Sequence, residues 1–166
     1  MKVAVYPGSF DPITFGHLDI LGRAADVFDR VVVGVLANPR KAPLLAADRR
    51  ITIIRAAVDE HCHVAASRIA VEAFNGLTVD FCRIQGAQFI IRGLRAISDF
   101  EFEFQMALLN RKLESNVETI FLMPKEEYTY LSSRIVKEIS RLGGDVSGFV
   151  PAAVAKALRQ KMTKHE

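Results

Sequence analysis

The sequence of 166 residues has few cysteines, no long apolar run and no dominant charge. Its two cysteines, Cys62 and Cys82, are too few for a disulfide framework, so we expect reduced thiols and a cytoplasmic protein. No apolar run approaches the ~20 residues that a membrane helix needs. The chain opens directly on a strand-like run rather than on a signal peptide, so we expect no membrane partner.

The balance of charge excludes a second class of function. Lysine and arginine number 22 and aspartate and glutamate 19, which gives a net charge of +3. Proteins that bind nucleic acid ordinarily carry a denser basic face and a recognition motif, so we expect no nucleic-acid partner. A modest excess suits small anionic ligands if a few basic side chains converge on one cleft.

The pattern of strands and helices indicates an α/β fold. No repeat or linker divides the chain, so residues 1–166 are expected to form a single domain with a C-terminal helix from about 151. Apolar stripes at helical spacing predict helices over 18–28, 51–58, 71–81, 135–142 and from 151. Between them we predict strands at Val3 to Tyr6, Val31 to Leu36, His63 to Ala66, Phe89 to Ile91 and Val117 to Leu122. This alternation favours a three-layer fold with a five-stranded parallel sheet and right-handed crossovers.

The segment around Phe100, Phe102 and Phe104 is ambiguous. It alternates like a strand, but Phe100, Phe104 and Leu108 also stand at helical spacing. Ser98 and Glu101 form a capping-box pattern, so we predict a helix that starts near Asp99. Whether the three phenylalanines lie in the core or in an interface stays open.

The most informative segment is the turn Tyr6–His17, which reads YPGSFDPITFGH and lies between a predicted strand and a predicted helix. It has neither the dinucleotide fingerprint G-x-G-x-x-G nor the P-loop pattern. Gly8 lets the backbone approach a ligand, the Ser9 hydroxyl can donate to a phosphate, and the amides at the helix start favour anions. His17 ends this turn and is a candidate for catalysis. The alternative is a histidine satisfied locally at the helix start.

Three further segments place basic or hydroxyl side chains after strands. Arg92 and Arg95 flank Gly93 after the fourth strand, and guanidinium groups bind phosphate oxygens in pairs. Tyr128 to Arg134 brings hydroxyls to another helix start, and Asn38 to Pro43 carries Lys41. Ordinary capping and solvated loops are the alternatives for these segments. If the strand order is 3-2-1-4-5, the loops after strands one and four face each other, and His17, Arg92 and Arg95 should converge.

The segment His61-Cys62-His63 lacks a matching third ligand, so we predict no protein metal site and interpret it as the entry to a strand. His165 is interpreted as solvated.

The sequence resembles the bacterial phosphopantetheine adenylyltransferases over nearly its whole length. The motifs that carry the resemblance are Tyr6–His17, Ile91–Ala96 with Asp99-Phe100-Glu101, and Phe121–Pro124. The resemblance implies a nucleotidyltransferase with a Rossmann-like fold that joins ATP and 4′-phosphopantetheine into dephospho-coenzyme A and pyrophosphate. It also implies Mg²⁺ with the ATP, a homohexamer, and inhibition by coenzyme A.

Site residues follow from the resemblance by position. His17 is then the transition-state stabiliser. The phosphopantetheine-binding set is Ser9, Lys41, Thr78 and Arg92. The ATP-binding set is Ser9, Phe10, His17, Gly93, Leu94, Arg95, Glu103, Tyr128, Thr129, Tyr130, Leu131, Ser132, Ser133 and Arg134. Three positions depart from the family pattern: Ser9 replaces a more common Thr, Phe15 a polar residue, and Arg134 a third Ser.

Two other interpretations remain open. A sister enzyme, such as a nicotinate-mononucleotide adenylyltransferase or a glycerol-phosphate cytidylyltransferase, shares this type of turn, although the arginine pair favours the pantetheine enzyme. A non-catalytic ATP-binding module on the same fold is the second, and the full set of basic residues beside His17 argues against it.

Overall fold

The fold is a parallel sheet covered by helices on both faces. A computed structural model describes residues 1–37, 42–63, 65–95 and 97–162, without the side chains at 97–99. Within these ranges the strands are β1 (Val3–Gly8), β2 (Arg30–Leu36), β3 (Ile69–Phe74), β4 (Phe89–Gly93) and β5 (Glu118–Leu122). The helices are α1 (Phe15–Val27), α2 (Ala47–His61), α3 (Thr78–Gln85), α4 (Ile97–Leu113), α5 (Ser133–Arg141) and α6 (Ala152–Met162).

The strands pair in the order β3-β2-β1-β4-β5, and every pair is parallel. This confirms the predicted order 3-2-1-4-5 and the three-layer α/β architecture. β1 is the central strand, with Ala4 opposite Phe89 on one side and opposite Val31 on the other. The carboxyl ends of β1 and β4 are therefore neighbours.

Apolar clusters on the two faces of the sheet hold the layers together. One cluster packs α1, α2, α5 and α6 against Val31, Val33 and Val35, which are fully buried. The other packs α3 against Val5 and Val32. Successive valines of β2 thus serve opposite faces, which is why the run is apolar without alternation.

The third strand and the third helix do not lie where the sequence pattern predicts them. The described part of the predicted strand His63–Ala66 is a turn that leads into a short 3-10 helix at Ala66–Arg68, and β3 starts only at Ile69. The predicted helix over 71–81 is wrong, because its first half is β3 and α3 begins at Thr78. Ala70, Glu72 and Ala73 are poor strand formers, but pairing with β2 overrides local propensity. His61 ends α2 and does not enter a strand.

The remaining predictions about the helices are confirmed. α4 begins at Ile97, close to the predicted start near Asp99, while the capping contact of Ser98 lies outside the described side chains. α5 ends at Arg141 before Gly143, whose φ of 77° is left-handed, and α6 follows Pro151 directly. None of the helices in the described ranges combines the length and apolarity of a membrane span.

Candidate active site

Loops at the carboxyl edge of the sheet enclose a cleft of about 530 Å³. The β1–α1 turn forms one wall and the end of β4 with α4 forms the facing wall. The predicted site residues that line the cleft are Ser9, Phe10, His17, Arg92, Gly93, Arg95, Glu103, Leu131, Ser132, Ser133 and Arg134. His17, Arg92 and Arg95 therefore converge, as the strand order predicts.

The other predicted site residues do not line the cleft, or they lie outside the part of the chain that the structure describes. Thr78 lines an adjoining cavity of about 80 Å³, which shares Pro7, Arg92, Phe102 and Glu103 with the main cleft. Leu94, Tyr128, Thr129 and Tyr130 do not line either space. Lys41, with residues 38–40, lies outside the described residues.

The helix cap that begins α1 fixes the ring of His17. The Thr14 amide donates to His17 Nδ1 over 3.1 Å, and the Thr14 Oγ1 lies 2.9 Å from the same nitrogen. In return the His17 amide donates to Thr14 Oγ1 over 3.4 Å. Because a backbone amide can only donate, Nδ1 must be an acceptor, and the proton of the neutral ring is on Nε2.

Packing and charge keep this ring neutral. The ring centroid of His17 lies 5.2 Å from that of Phe10 and 6.5 Å from that of Tyr6. Burial lowers the His17 pKa to about 4, and the nearby charges of Arg95 and Arg92 act in the same direction. At neutral pH His17 is therefore an uncharged Nε2–H donor in a cleft that also contains Arg92 and Arg95.

Arg92 is already paired with a carboxylate. Its Nε donates to Glu103 Oε2 over 2.6 Å, its Nη2 donates to Glu103 Oε1, and its Nη1 donates to the Pro7 carbonyl over 3.0 Å. Burial opposes the charge of Arg92, but the hydrogen bonds to Glu103 leave its pKa raised overall. The pair holds the guanidinium in one orientation between β1 and α4.

Arg95 is more exposed than Arg92 and binds the segment before α5. Its Nη1 donates to the Leu131 carbonyl over 2.8 Å, just before α5. Ser132 caps α5 by accepting from the Ile135 amide, and Ser133 Oγ donates to the Pro12 carbonyl over 2.6 Å. These contacts join the segment before α5 to both walls of the cleft.

Some cleft residues were not predicted as site residues from the sequence. Tyr6, Ile20 and Phe102 line the cleft, and Phe102 lies between the two spaces although 61% of it is exposed. Phe102 belongs to the aromatic segment whose structure was ambiguous in the sequence. The predicted start of the helix did not show which way the side chain of Phe102 would face. The pairing of Arg92 with Glu103 was equally hidden, because 11 positions separate the two residues.

Comparisons with known proteins identify the family. Residues 5–139 match the Cytidylyltransferase-like family. Over 161 residues, or 97% of its length, the chain is 51% identical to a phosphopantetheine adenylyltransferase of Alkaliphilus metalliredigens, and the match covers 99% of that protein. Over the same length it is 54% identical to the phosphopantetheine adenylyltransferase of Heliobacterium modesticaldum, of which the match covers 93%. The Xylella fastidiosa protein of the same name is 52% identical over 97% of this chain and 96% of its own. The chain belongs to the phosphopantetheine adenylyltransferases.

Two solved structures share the fold of this chain. One is a putative nicotinate-nucleotide adenylyltransferase from Vibrio parahaemolyticus, with a TM-score of 0.66 and 16% identity over 95% of this chain and 99% of that one. The other is a Plasmodium falciparum nicotinic acid mononucleotide adenylyltransferase complexed with NaAD, with a TM-score of 0.71 and 13% identity over 99% and 95%. At this identity the likeness concerns the fold alone.

Replacing His17 with Asn should make the stability of the protein less sensitive to acid. The folded-state pKa of about 4 lies below the 6.5 of a free histidine, so the unfolded chain takes up the proton first. His17 therefore costs stability as the pH falls from about 6.5 towards 4, and costs none above that range. Urea unfolding at pH 7.5 and pH 4.5 should show the wild type losing about 2 kcal/mol more than the variant. Equal losses would contradict a buried neutral ring.

Proposed function

We propose that the protein transfers the adenylyl group of ATP to 4′-phosphopantetheine, giving dephospho-coenzyme A and pyrophosphate in the penultimate step of coenzyme A synthesis. The identity of more than half the residues over 97% of the chain carries this proposal. The cleft supports it, since a neutral histidine and two arginines line the same space. Catalysis of a transfer between phosphate groups depends on positioning and charge stabilisation more than on a side-chain nucleophile.

In the proposed reaction a phosphate oxygen of 4′-phosphopantetheine attacks the α-phosphorus of ATP. A new phosphorus–oxygen bond forms in line with the bond to the β-phosphate oxygen, which breaks and releases pyrophosphate. The attacking group is already an anion, so no general base has to remove a proton. His17 donates from Nε2 to the α-phosphate oxygens as negative charge accumulates there, and its neutral state keeps that proton in place at pH 7.

We assign the ATP contacts around the main cleft. Ser9, Phe10, Gly93 and Arg95 would face the phosphates, with Ser132, Ser133 and Arg134 at the start of α5. Leu94, Tyr128, Thr129 and Tyr130 lie outside the lining, so any contact they make with ATP would come from the rim. Glu103 would act through its hydrogen bonds to Arg92.

The phosphopantetheine contacts are assigned to Ser9, Thr78 and Arg92, together with Lys41. Thr78 and Arg92 both line the smaller cavity, which shares Arg92 and Phe102 with the lining of the main cleft. One end of the acceptor would occupy the side cavity while its phosphate reaches Arg92 in the cleft. Arg92 would then share its donors between Glu103 and that phosphate.

Magnesium would enter with the nucleotide. Within the described ranges no three histidine, cysteine, aspartate or glutamate side chains cluster as metal ligands. Glu103, a carboxylate in the cleft lining, is held by Arg92. These side chains suit an ion that is carried on phosphate oxygens and water rather than one that is held by protein ligands. The ion would stabilise those phosphate oxygens electrostatically.

The remaining assignments concern the protein as a whole. We propose one domain over 1–166, because Val154 and Leu158 of α6 share a core with Ile54 of α2. We place it in the cytoplasm, where its two buried free thiols would stay reduced. Coenzyme A is the proposed feedback inhibitor, since it extends the reaction product.

Mixing the purified protein with ATP, Mg²⁺ and 4′-phosphopantetheine should yield dephospho-coenzyme A and an equal amount of pyrophosphate. Chromatography of the nucleotide products measures the first, and a coupled phosphate assay measures the second. Nicotinate mononucleotide and glycerol phosphate serve as control acceptors. Turnover with either control alone would assign a sister activity. ATP binding without pyrophosphate release from any acceptor would support a non-catalytic module.

Replacing His17 with Ala should lower kcat by roughly 10²- to 10³-fold, since the lost hydrogen bond matters most as charge develops in the transition state. The Kd of ATP should change little, because several other donors surround the phosphates. Initial rates and calorimetry measure the two quantities. His63→Ala, in an exposed turn outside the cleft lining, is the control and should keep the wild-type kcat. A near-normal kcat for His17→Ala would contradict the proposed role.

Assembly into a homo-oligomer, with six chains as the proposed number, is supported by α4. The helix exposes large apolar side chains between 47% and 61%: Phe100, Phe102, Phe104, Leu108, Leu109 and Leu113. Large apolar side chains exposed together on one surface are typical of protein–protein interfaces. Leu113→Glu should therefore lower the mass measured by light scattering, while Leu142→Glu, an equally apolar exposed position after α5, should not. An unchanged mass for Leu113→Glu would contradict the assignment of α4 to the interface.

A further inference from the structure

Arg50 is a buried cation on α2 that lies outside the lining of the cleft. Only 2% of the residue is exposed. Its guanidinium donates to three backbone carbonyls: Nε to Leu45 over 3.0 Å, and Nη1 to Leu36 over 3.1 Å and to Ser9. A buried guanidinium is costly unless its donors are satisfied, and here backbone oxygens satisfy them.

The three carbonyls belong to the turn after β1 and to the two ends of the connection between β2 and α2. Ser9 is in the turn after β1, whereas Leu36 and Leu45 flank the segment after β2 that contains Lys41. Asp11, which is negatively charged, also joins these segments. Its carboxylate accepts from the Leu44 and Leu45 amides over 2.8 and 2.9 Å. Leu45 is thus held through its N–H by Asp11 and through its carbonyl by Arg50.

The charges of Arg50 and Asp11 support each other without a direct bond. Burial lowers the pKa of Arg50, and the charge of Asp11 acts against that shift. Asp11 also accepts from Lys137 Nζ of α5 over 3.1 Å. The network therefore connects the β1–α1 turn to α2 and to α5.

The hydrogen bond from Arg50 sets the direction of the Ser9–Phe10 peptide. In a trans peptide the carbonyl and the following N–H point in opposite directions. With the Ser9 carbonyl turned to Arg50, the Phe10 amide points away from it, and within the described ranges no protein acceptor bonds this amide. Phe10 has a φ of 45°, a left-handed conformation that a non-glycine residue adopts only under restraint.

We propose that Arg50 is a positioning residue for adenylyl transfer, which holds the Ser9–Phe10 peptide so that the Phe10 amide can donate to the nucleotide phosphates. The same guanidinium holds the loop after β2 against the β1–α1 turn. This inference rests on the proposed function for its kinetic consequences. A lysine cannot replace Arg50 fully, because an ammonium lacks the planar fork that reaches three separate carbonyls.

The test compares Arg50→Lys and Arg50→Met with Arg55→Met. Arg55 lies on the same helix and donates to a single strand carbonyl, that of Val71 over 2.9 Å, away from the cleft lining. At a temperature where circular dichroism shows each protein folded, Arg50→Met should lose about 10- to 100-fold in kcat/KM for ATP, with Arg50→Lys intermediate. Arg55→Met should keep the wild-type kcat and KM even if its melting temperature falls.

Two outcomes would overturn the proposal. The first is an Arg50 variant that stays folded with wild-type kcat and KM, because a purely structural arginine would change the melting temperature alone. The second needs no variant: ATP added to the ¹⁵N-labelled wild type should shift the Phe10 amide resonance strongly, and an unmoved resonance would contradict the proposal even if no Arg50 variant folds.

Failure of the proposed function would give a different result. If the wild type forms no dephospho-coenzyme A, the assignment of the reaction is wrong, and calorimetry with ATP alone decides the role of Arg50. A Kd weakened about tenfold by Arg50→Lys but not by Arg55→Met would support positioning. An equal Kd in all three proteins would refute it.

Discussion

The parallel pairing of β1 with β4 is the constraint on which the rest of the site depends. It inserts β4 beside the first strand, although 80 residues of chain separate Phe89 from the end of β1, and so makes β1 the point where the strand order reverses. Ligands of open α/β sheets bind at such a point because two neighbouring loops diverge there. This pairing brings His17 and Arg92 to the same cleft.

Charge in the cleft is arranged so that little of it changes near neutral pH. Burial and two arginines keep His17 neutral, while Glu103 holds Arg92 in one orientation. The neutral histidine donor and the nearby positive charges thus both follow from the close packing of His17, Arg92 and Arg95 in one cleft. A site of this kind attracts phosphates without needing a group that titrates at the working pH, which agrees with a transfer between two anions.

Much of the fold was predictable, and the failures have a common cause. The strand order could be anticipated because motifs after the first and fourth strands required a shared cleft. β3 was misplaced because it is an edge strand of mixed propensity, and its pairing with β2 makes Ile69–Phe74 extended. The side-chain partners of the site were also missed: the bond of Thr14 to His17 Nδ1, the pairing of Glu103 with Arg92, and the three carbonyls at Arg50. The last two depend on distances that no spacing along the chain encodes, whereas Thr14 and His17 are three residues apart and form a capping box at the start of α1.

The sequence by itself determined the alternation of strands and helices, the Gly-rich turn that ends at His17, and the arginines after β4, because hydrophobic periodicity and local turn chemistry are properties of neighbouring residues. Only the tertiary structure decided that the His17 ring is buried and neutral, that Arg92 is already paired, and that α4 exposes its phenylalanines. These depend on burial and on contacts between distant segments, where desolvation and hydrogen-bond geometry outweigh local preference.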